Sequence, residues 1–482
     1  MIIPPRVATV VLAATVLLSA CNTNRKNDPK VVAEWMRTLY GTIRVERLSP
    51  PVASRLSAYA TAALYSGLAT SSDAMAPLTG ALNGFPDLPK GEVGTVYDGT
   101  LAAVAAERVV LDTMLREALP TTLSSVRRLA DSLEAARSAD GVSEDTRKRS
   151  SELGRRIGLS IVSWSRTDGF DSTRGRKYVA PVGPGLWVND APGNTFASQN
   201  LSGATQSLDF DNPANLQRPG NMSDRGLILS RPKRAGLATL PPVNMAGTSE
   251  PYWGQVRPFV LKSWGECEVP RPPQYSMDSE SERHRDADNV ATTGKTLTPE
   301  QKAIALYWAD NAGESGTPVG HWISIASQMV SERHLSAEDA ARMMVLTAVA
   351  HADAFIASWG YKYQFNIVRP RPYIRAFIDS TWEPFIPTPP FPEYPSGHST
   401  VSSSAATVLA ALLGDTPFTD STSISIGHAP RTFRSFTAAS EEAGQSRIYG
   451  GIHFPSGNLG GRALGKCIGL EVVARLKAER LK

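Results

Sequence analysis

The sequence predicts an all-α protein built from two helical bundles with a long loop-rich segment between them. Three observations carry that expectation. Apolar residues recur at three- and four-residue spacing over most of the chain, and no sustained period-two pattern is present. A Gly-, Pro-, Asn- and Ser-rich stretch from about 170 to 289 separates two helical halves. At 482 residues the chain is long for one core, since domains run to roughly 100–200 residues. A hydrophobic fraction of 41% and a charged fraction of 20% exclude wholesale disorder. Lys+Arg 50 against Asp+Glu 46 gives +4, too thin an excess over this length to point to nucleic acid. Cys21, Cys267 and Cys467 are too few for a disulfide scaffold, and without a C-x-x-C pair they exclude a zinc knuckle. Cys267 and Cys467 could pair in an oxidising compartment, though a separation of 200 residues settles nothing by itself.

The elements follow in order. Residues 1–20 read as an export signal: Arg6 precedes an apolar run from Val7 to Ala20, too short to span a bilayer comfortably. The run ends Leu18-Ser19-Ala20-Cys21, which resembles a bacterial lipobox. That resemblance implies cleavage before Cys21 and lipidation of its sulfur, with residues 21–30 as a polar tether. It places the protein on the periplasmic side or at the outer membrane, the membrane engaged through the lipid alone. No later stretch has 18 uninterrupted apolar residues. Residues 31–290 would form the N-terminal bundle with its loop-rich segment, broken at Asp140-Gly141 and Asp168-Gly169. Residues 291–482 would form the C-terminal bundle. Its helices open at Thr298-Pro299-Glu300 and at Ser336-Ala337-Glu338-Asp339, each with a capping hydroxyl and acids in the first turn. A further helix follows His398 and ends at Gly414.

Three short blocks in the C-terminal half carry chemistry. Lys362 and Arg369 lie seven apart in KYQFNIVRP, so both are expected on one helix face before Pro370 ends the helix. Pro395-Ser396-Gly397-His398 immediately precedes an apolar helical run, where unsatisfied N–H groups and the positive dipole end favour an anion. Ser446-Arg447 is followed by His453 in SRIYGGIHFPSGN. Two arginines, a lysine, a hydroxyl and backbone amides make a cage for an oxyanion, and the arginine fork suits its oxygens. The two histidines add a nucleophile or metal ligand and an acid/base.

The pattern K-x6-R-P, P-S-G-H and S-R-x5-H resembles the signature shared by vanadium-dependent haloperoxidases and type 2 phosphatidic acid phosphatases. The resemblance implies that Lys362, Arg369, Ser396, Gly397 and Arg447 hold the oxygens of vanadate or phosphate. His453 would ligate vanadium or attack phosphorus, and His398 would be the acid/base. Lys362 would also polarise bound peroxide. Trp359 and Phe391 match aromatic positions that shape the pocket in chloroperoxidase-type members, and Phe391 is the choice associated with chloride oxidation. YWGQVRPF (252–259) and YWADNAGESGTPVGHW (307–322) also resemble bacterial members, and by that comparison Asp310 braces Arg447. One departure stands out. The family often has an acid four residues after the last histidine, and here Gly457 occupies that place.

The leading expectation is therefore halide oxidation by hydrogen peroxide to hypohalous acid, with vanadate as cofactor. The alternative is a periplasmic phosphomonoesterase that uses a phosphohistidine and takes a phosphate ester as substrate. A third reading is a lipoprotein that binds the oxyanion without turnover, which would not need both histidines. The N-terminal half favours the two-bundle haloperoxidase plan. Of the other histidines, His321, His334 and His351 read as packing or local hydrogen bonding, His284 as part of a solvated charged loop, and His428 as part of a connector. No H-E-x-x-H, G-x-S-x-G or Walker A sequence is present.

Overall fold

A computed structural model of the chain describes residues 26–174, 176–189 and 249–481. The signal segment 1–20, Cys21 and much of the loop-rich stretch lie outside those residues. The described part is mainly helical. Its first half holds α1 (Pro29–Val45), α2 (Pro50–Leu68), α3 (Gly99–Met114), α4 (Pro120–Ala139), α5 (Glu144–Ser165) and the single turn α6 (Phe170–Thr173). Prolines at the first turns and the caps Asp28, Asp98 and Ser143 explain several of these starts.

The second half begins with α7 (Glu282–Lys295), α8 (Pro299–Tyr307), α9 (Thr317–Glu332), α10 (Ala337–Phe365) and α11 (Pro370–Phe377). It closes with α12 (Gly397–Leu413), α13 (Phe436–Tyr449) and α14 (Pro455–Arg475). Thr298 and Gln301 form a reciprocal capping box, and Ser336 caps α10 through Asp339 N–H. Two details differ from expectation. SESERHRDAD is not a loop: Ser281 caps α7, and His284 lies on it. The assumed division at 290/291 falls inside that helix. A small antiparallel pair, β1 (Phe418–Asp420) with β2 (Arg431–Phe433), interrupts the helices. At three residues each, these strands are too short to show a period.

One hydrophobic core runs from Val31 to Val472 through both halves. Its axis is α10, which packs against α1, α2, α12 and α14. By length and composition α10 could cross a membrane, but its apolar window is 94% buried, as in a core helix. Asp353 on α10 accepts the backbone N–H groups of Phe259, Val260 and Leu261 at 2.6, 2.8 and 2.9 Å. That ties the YWGQVRPF segment to the helix that carries Lys362. Cys267 and Cys467 form a disulfide with Cα atoms 5.9 Å apart, pinning the following loop to α14.

The packing of α14 on α12 sets the site. Gly461 and Gly465 lie one turn apart on α14, and a Cβ at Gly465 would stand 2.1 Å from the Thr400 carbonyl oxygen. Only glycine permits so close an approach. It brings the start of α14 against the start of α12, where the Gly457 carbonyl accepts the Ser396 N–H at 2.9 Å.

Candidate active site

The three sequence blocks converge on the N-terminal end of α12. Ser396 caps that helix by accepting the Ser399 N–H at 3.4 Å. The first helical residues, Gly397 and His398, present N–H groups that have no acceptor within the helix. A Cβ at Gly397 would stand 3.3 Å from the Trp359 ring, so the glycine keeps this approach open.

Lys362 and Arg369 reach the site from different elements. The helix α10 stops at Phe365 because Asn366 turns into the left-handed region (φ 49°), and Arg369 is the N-cap residue of α11. Pro370 therefore starts a helix rather than ending one, its fixed φ being suited to a first turn. Lys362 Nζ donates to the carbonyls of Pro392, Glu393 and Pro395, the first two at 3.0 and 2.8 Å. Arg369 Nε donates to Phe391 O at 2.9 Å and Nη1 to Ile452 O at 2.8 Å. Arg447 Nε donates to Ser446 Oγ at 2.9 Å, and Nη2 to the carbonyls of Trp308 and Ala305 at 2.6 and 3.3 Å.

All three cations are buried. Burial pushes Arg447 down to about 10 against the opposing charge of Asp310. Burial and then the Arg369 charge press Lys362 well below its ordinary value. Three carbonyl acceptors nevertheless use all three protons of an ammonium, and a neutral amine has only two. The geometry is that of the charged form.

Partners also fix the histidine tautomers. Arg369 Nη1 lies 3.0 Å from His453 Nε2, and an arginine can only donate, so Nε2 carries the lone pair. Nδ1 then bears the proton and donates it to Glu393 Oε1 at 2.7 Å. Burial, with the charges of Arg369 and Lys362, holds His453 neutral. The half-buried His398 hydrogen-bonds the backbone at Trp308 and Ala309, while its Nε2 has no partner among the described residues. Carbonyls only accept, so His398 also presents a bare Nε2. Burial and the Arg447 charge keep it unprotonated. Trp359 and Phe391 pack with ring centroids 4.9 Å apart. Lys362 Nζ lies 5.2 Å and Arg369 Cζ 4.8 Å from the Phe391 ring. The donor set is strongly cationic, with a basic nitrogen inside it, and fits a tetrahedral oxyanion such as vanadate or phosphate.

Comparison with known proteins agrees with that chemistry. Residues 342–480 match the family model of the VCPO second helical-bundle domain. Vanadium chloroperoxidase of Curvularia inaequalis is 33% identical over 128 residues, a match that covers 21% of each chain. The chain thus spans about a fifth of that relative's length. The crystal structure of a bacterial vanadium-dependent iodoperoxidase is similar at a TM-score of 0.75 and 28% identity, covering 94% of this chain and 97% of that one. A holo-type bacterial vanadium-dependent chloroperoxidase shares the fold at a TM-score of 0.60 and 17% identity, covering 90% and 94%. Together these likenesses support placing the chain in the vanadium haloperoxidase superfamily.

Asp310 is placed differently from its expected role. It accepts a hydrogen bond from Ser315 Oγ at 3.0 Å, and its two oxygens lie 3.1 and 3.0 Å from His321 Nδ1, so its effect on Arg447 is that of a nearby charge. On the far side of the ring, His321 Nε2 lies 2.8 Å from Asp420 Oδ2, which also accepts the Tyr307 hydroxyl at 2.6 Å. Trp308 stacks on His321 with centroids 4.6 Å apart. The clamp therefore fixes the segment whose carbonyls hold Arg447 and His398. Sequence reasoning read His321 as packing or local hydrogen bonding, which fits its bond to Asp310, and missed Asp420, Tyr307 and Glu393. His351, read the same way, is buried with both ring nitrogens unpartnered among the described residues, and burial pushes it down to about 3.

The clamp makes a pH prediction. Burial alone would lower His321, but Asp310 and Asp420 overcome it and raise the ring from 6.5 to about 10. The raised value contributes stability that is fully present below pH 6.5 and lost as pH rises through about 10. Asp420, lowered from 3.8 to about 2, contributes above pH 3.8 and loses that contribution as pH falls through about 2. His321→Ala is expected to cost about 3–5 kcal/mol, because it leaves two buried carboxylates without their cation. Urea unfolding across pH should show the largest deficit between about 4 and 6.5, shrinking towards 10. A deficit independent of pH would show that the clamp is not charged.

Proposed function

We propose that the protein is a vanadate-dependent haloperoxidase that oxidises halide with hydrogen peroxide to hypohalous acid. The observation that carries this reading is the likeness to an iodoperoxidase over nearly the whole length of the chain. When bound, vanadate would supply a Lewis-acid centre that does not change oxidation state. His453 would hold it through Nε2. Arg369, Arg447, Ser396 and the Gly397 N–H would hold its oxygens, and Lys362 would join them by giving up one of its three carbonyl bonds. Arg369 Nη1 now covers His453 Nε2, and an arriving oxyanion would take over that donor and uncover the lone pair. His398 would accept a proton at Nε2 from incoming peroxide, the role suited to a histidine kept neutral. Trp359 and Phe391 would limit water beside the cations and shape the halide's approach.

A second reading, phosphate-ester hydrolysis through a phosphohistidine, is favoured by one specific observation. Glu393 supplies the carboxylate that stabilises an imidazolium at His453. We also propose export and lipid attachment at Cys21. The lipobox-like residues and a disulfide suited to an oxidising compartment support this.

The deciding experiment uses protein lacking residues 1–21. Chloride-, bromide- and iodide-dependent halogenation by peroxide is measured with and without vanadate, beside hydrolysis of p-nitrophenyl phosphate. Vanadate-dependent halogenation is the expected result. Hydrolysis without halogenation would overturn it in favour of the second reading.

A further inference from the structure

Glu393 is the one charged residue in the apolar run PPFPEYP (389–395) that leads to Ser396. It is wholly buried, a costly place for a carboxylate without purpose-built partners. Oε1 accepts His453 Nδ1–H at 2.7 Å and the Phe454 N–H at 3.1 Å, while Oε2 has no hydrogen-bond partner among the described residues. Its backbone is held at both ends, the N–H by Ile367 O at 3.0 Å and the carbonyl by Lys362 Nζ at 2.8 Å. The backbone that carries the carboxylate is therefore held by the same lysine that belongs to the anion cage.

The space it occupies is equally informative. A Cβ built on Gly457 would lie 2.0 Å from Glu393 Oε1 and 2.8 Å from its carboxyl carbon. Any side chain at 457 would displace the carboxylate from the ring. Gly457 has ordinary helical geometry in α14, so no backbone strain calls for glycine there. The requirement comes from the carboxylate.

We infer that Glu393 is the positioning residue of His453, delivered from the loop before α12 into a volume that Gly457 keeps empty, so that positions 393 and 457 can supply this carboxylate only in alternation. This deepens the proposed function and rests on it. The hydrogen bond locks Nδ1–H and so directs the Nε2 lone pair into the cage, as partners of metal-ligating histidines do. It also accounts for the missing acid four residues after His453.

The test reads the ring and anion binding, not turnover. In histidine-labelled, anion-free full-length chain, nitrogen NMR should show His453 as the Nδ1–H tautomer, the signal being assigned by its absence from His453→Ala. Glu393→Ala should mix the tautomers and weaken binding of inorganic vanadate and of phosphate by roughly ten- to a hundredfold. The isosteric Glu393→Gln, which keeps the volume and guards against a folding failure, should still lose about tenfold. Gly457→Asp alone should be damaging, because two carboxylates then compete for one place. Combined with Glu393→Ala, the same Gly457→Asp should restore the tautomer and most of the affinity, whereas Gly457→Ala in that background should restore neither. Parental tautomer and affinity in Glu393→Ala or Glu393→Gln would overturn the inference. So would equal rescue by alanine and aspartate at 457, which would make the role space-filling. If the parent neither halogenates nor hydrolyses, the functional reading fails while these readouts still decide the role of Glu393.

Discussion

His453→Ala is expected to abolish turnover, by at least roughly 10³-fold, because both mechanisms open to this site depend on the same nitrogen. Nε2 is a basic atom that the structure places against Arg369, and its lone pair is fixed there by the proton on Nδ1. Removing the ring takes away the metal ligand in one mechanism and the nucleophile in the other. It also strands Glu393, whose buried Oε1 would lose its ring donor, at about 1–3 kcal/mol. A thermal melt must therefore accompany the vanadate titration and the halogenation assay, to separate a lost ligand from a lost fold. Folded protein that binds vanadate weakly or not at all is the expected outcome. Full vanadate-dependent halogenation by the variant would sink the haloperoxidase reading.

Much of the fold was legible because helix ends are written in local chemistry. Thr298-Pro299 and Ser336-Asp339 name their own caps, and the glycine after Leu413 ends α12 where expected. Pro370 misled because proline both stops helices and opens them. The deciding residue was Asn366, which takes the left-handed conformation and frees Arg369 to start another helix. Over α7 the charges of SESERHRDAD hid a usable signal. Arg283, Ala287, Val290 and Ala291 are its buried residues, at helical spacing, and the one-sided pattern shows only when the charged face is set aside. That one core joins both halves could not be read from local sequence, since it rests on the packing of α10 against α2 and α12.

The cage itself was legible for a different reason. Lys362, Arg369, Ser396, Gly397, His398, Arg447 and His453 lie in short blocks whose spacing carries information, and the structure brings those blocks to one helix end. Their supports are scattered. His321 meets Asp420 across 99 positions and Tyr307 meets it across 113, so no window of sequence contains the clamp. Glu393 lies two residues before the PSGH block and carries no local signal, because its partner is 60 residues away. Gly457 was read as a missing acid. Its physical content is the room it leaves for one arriving from elsewhere.

His398→Ala is expected to bind vanadate almost as the parent does while turnover falls by roughly 10²–10⁴, the usual worth of positioned acid–base help. The affinity should survive because His398 is not among the cage cations. Among the described residues its ring bonds to backbone at Trp308 and Ala309, and its Nε2 stands unpartnered. The turnover should fall because that bare nitrogen is the proton acceptor in the proposed mechanism. Burial and the Arg447 charge hold its pKa well below the ordinary 6.5. A base whose pKa is lowered stays unprotonated into acid, so parental activity should persist below pH 6.5 and fail only as Nε2 is finally protonated. The variant should lose this acid limb along with its rate. Steady-state halogenation against pH at saturating peroxide, with vanadate affinity measured separately, checks both halves. A phosphatase would behave otherwise. Its His398 must donate a proton to the leaving group, so the variant would spare activated aryl phosphates and fail on alkyl phosphates. Parental halogenation with the acid limb intact would remove His398 from the proton path altogether.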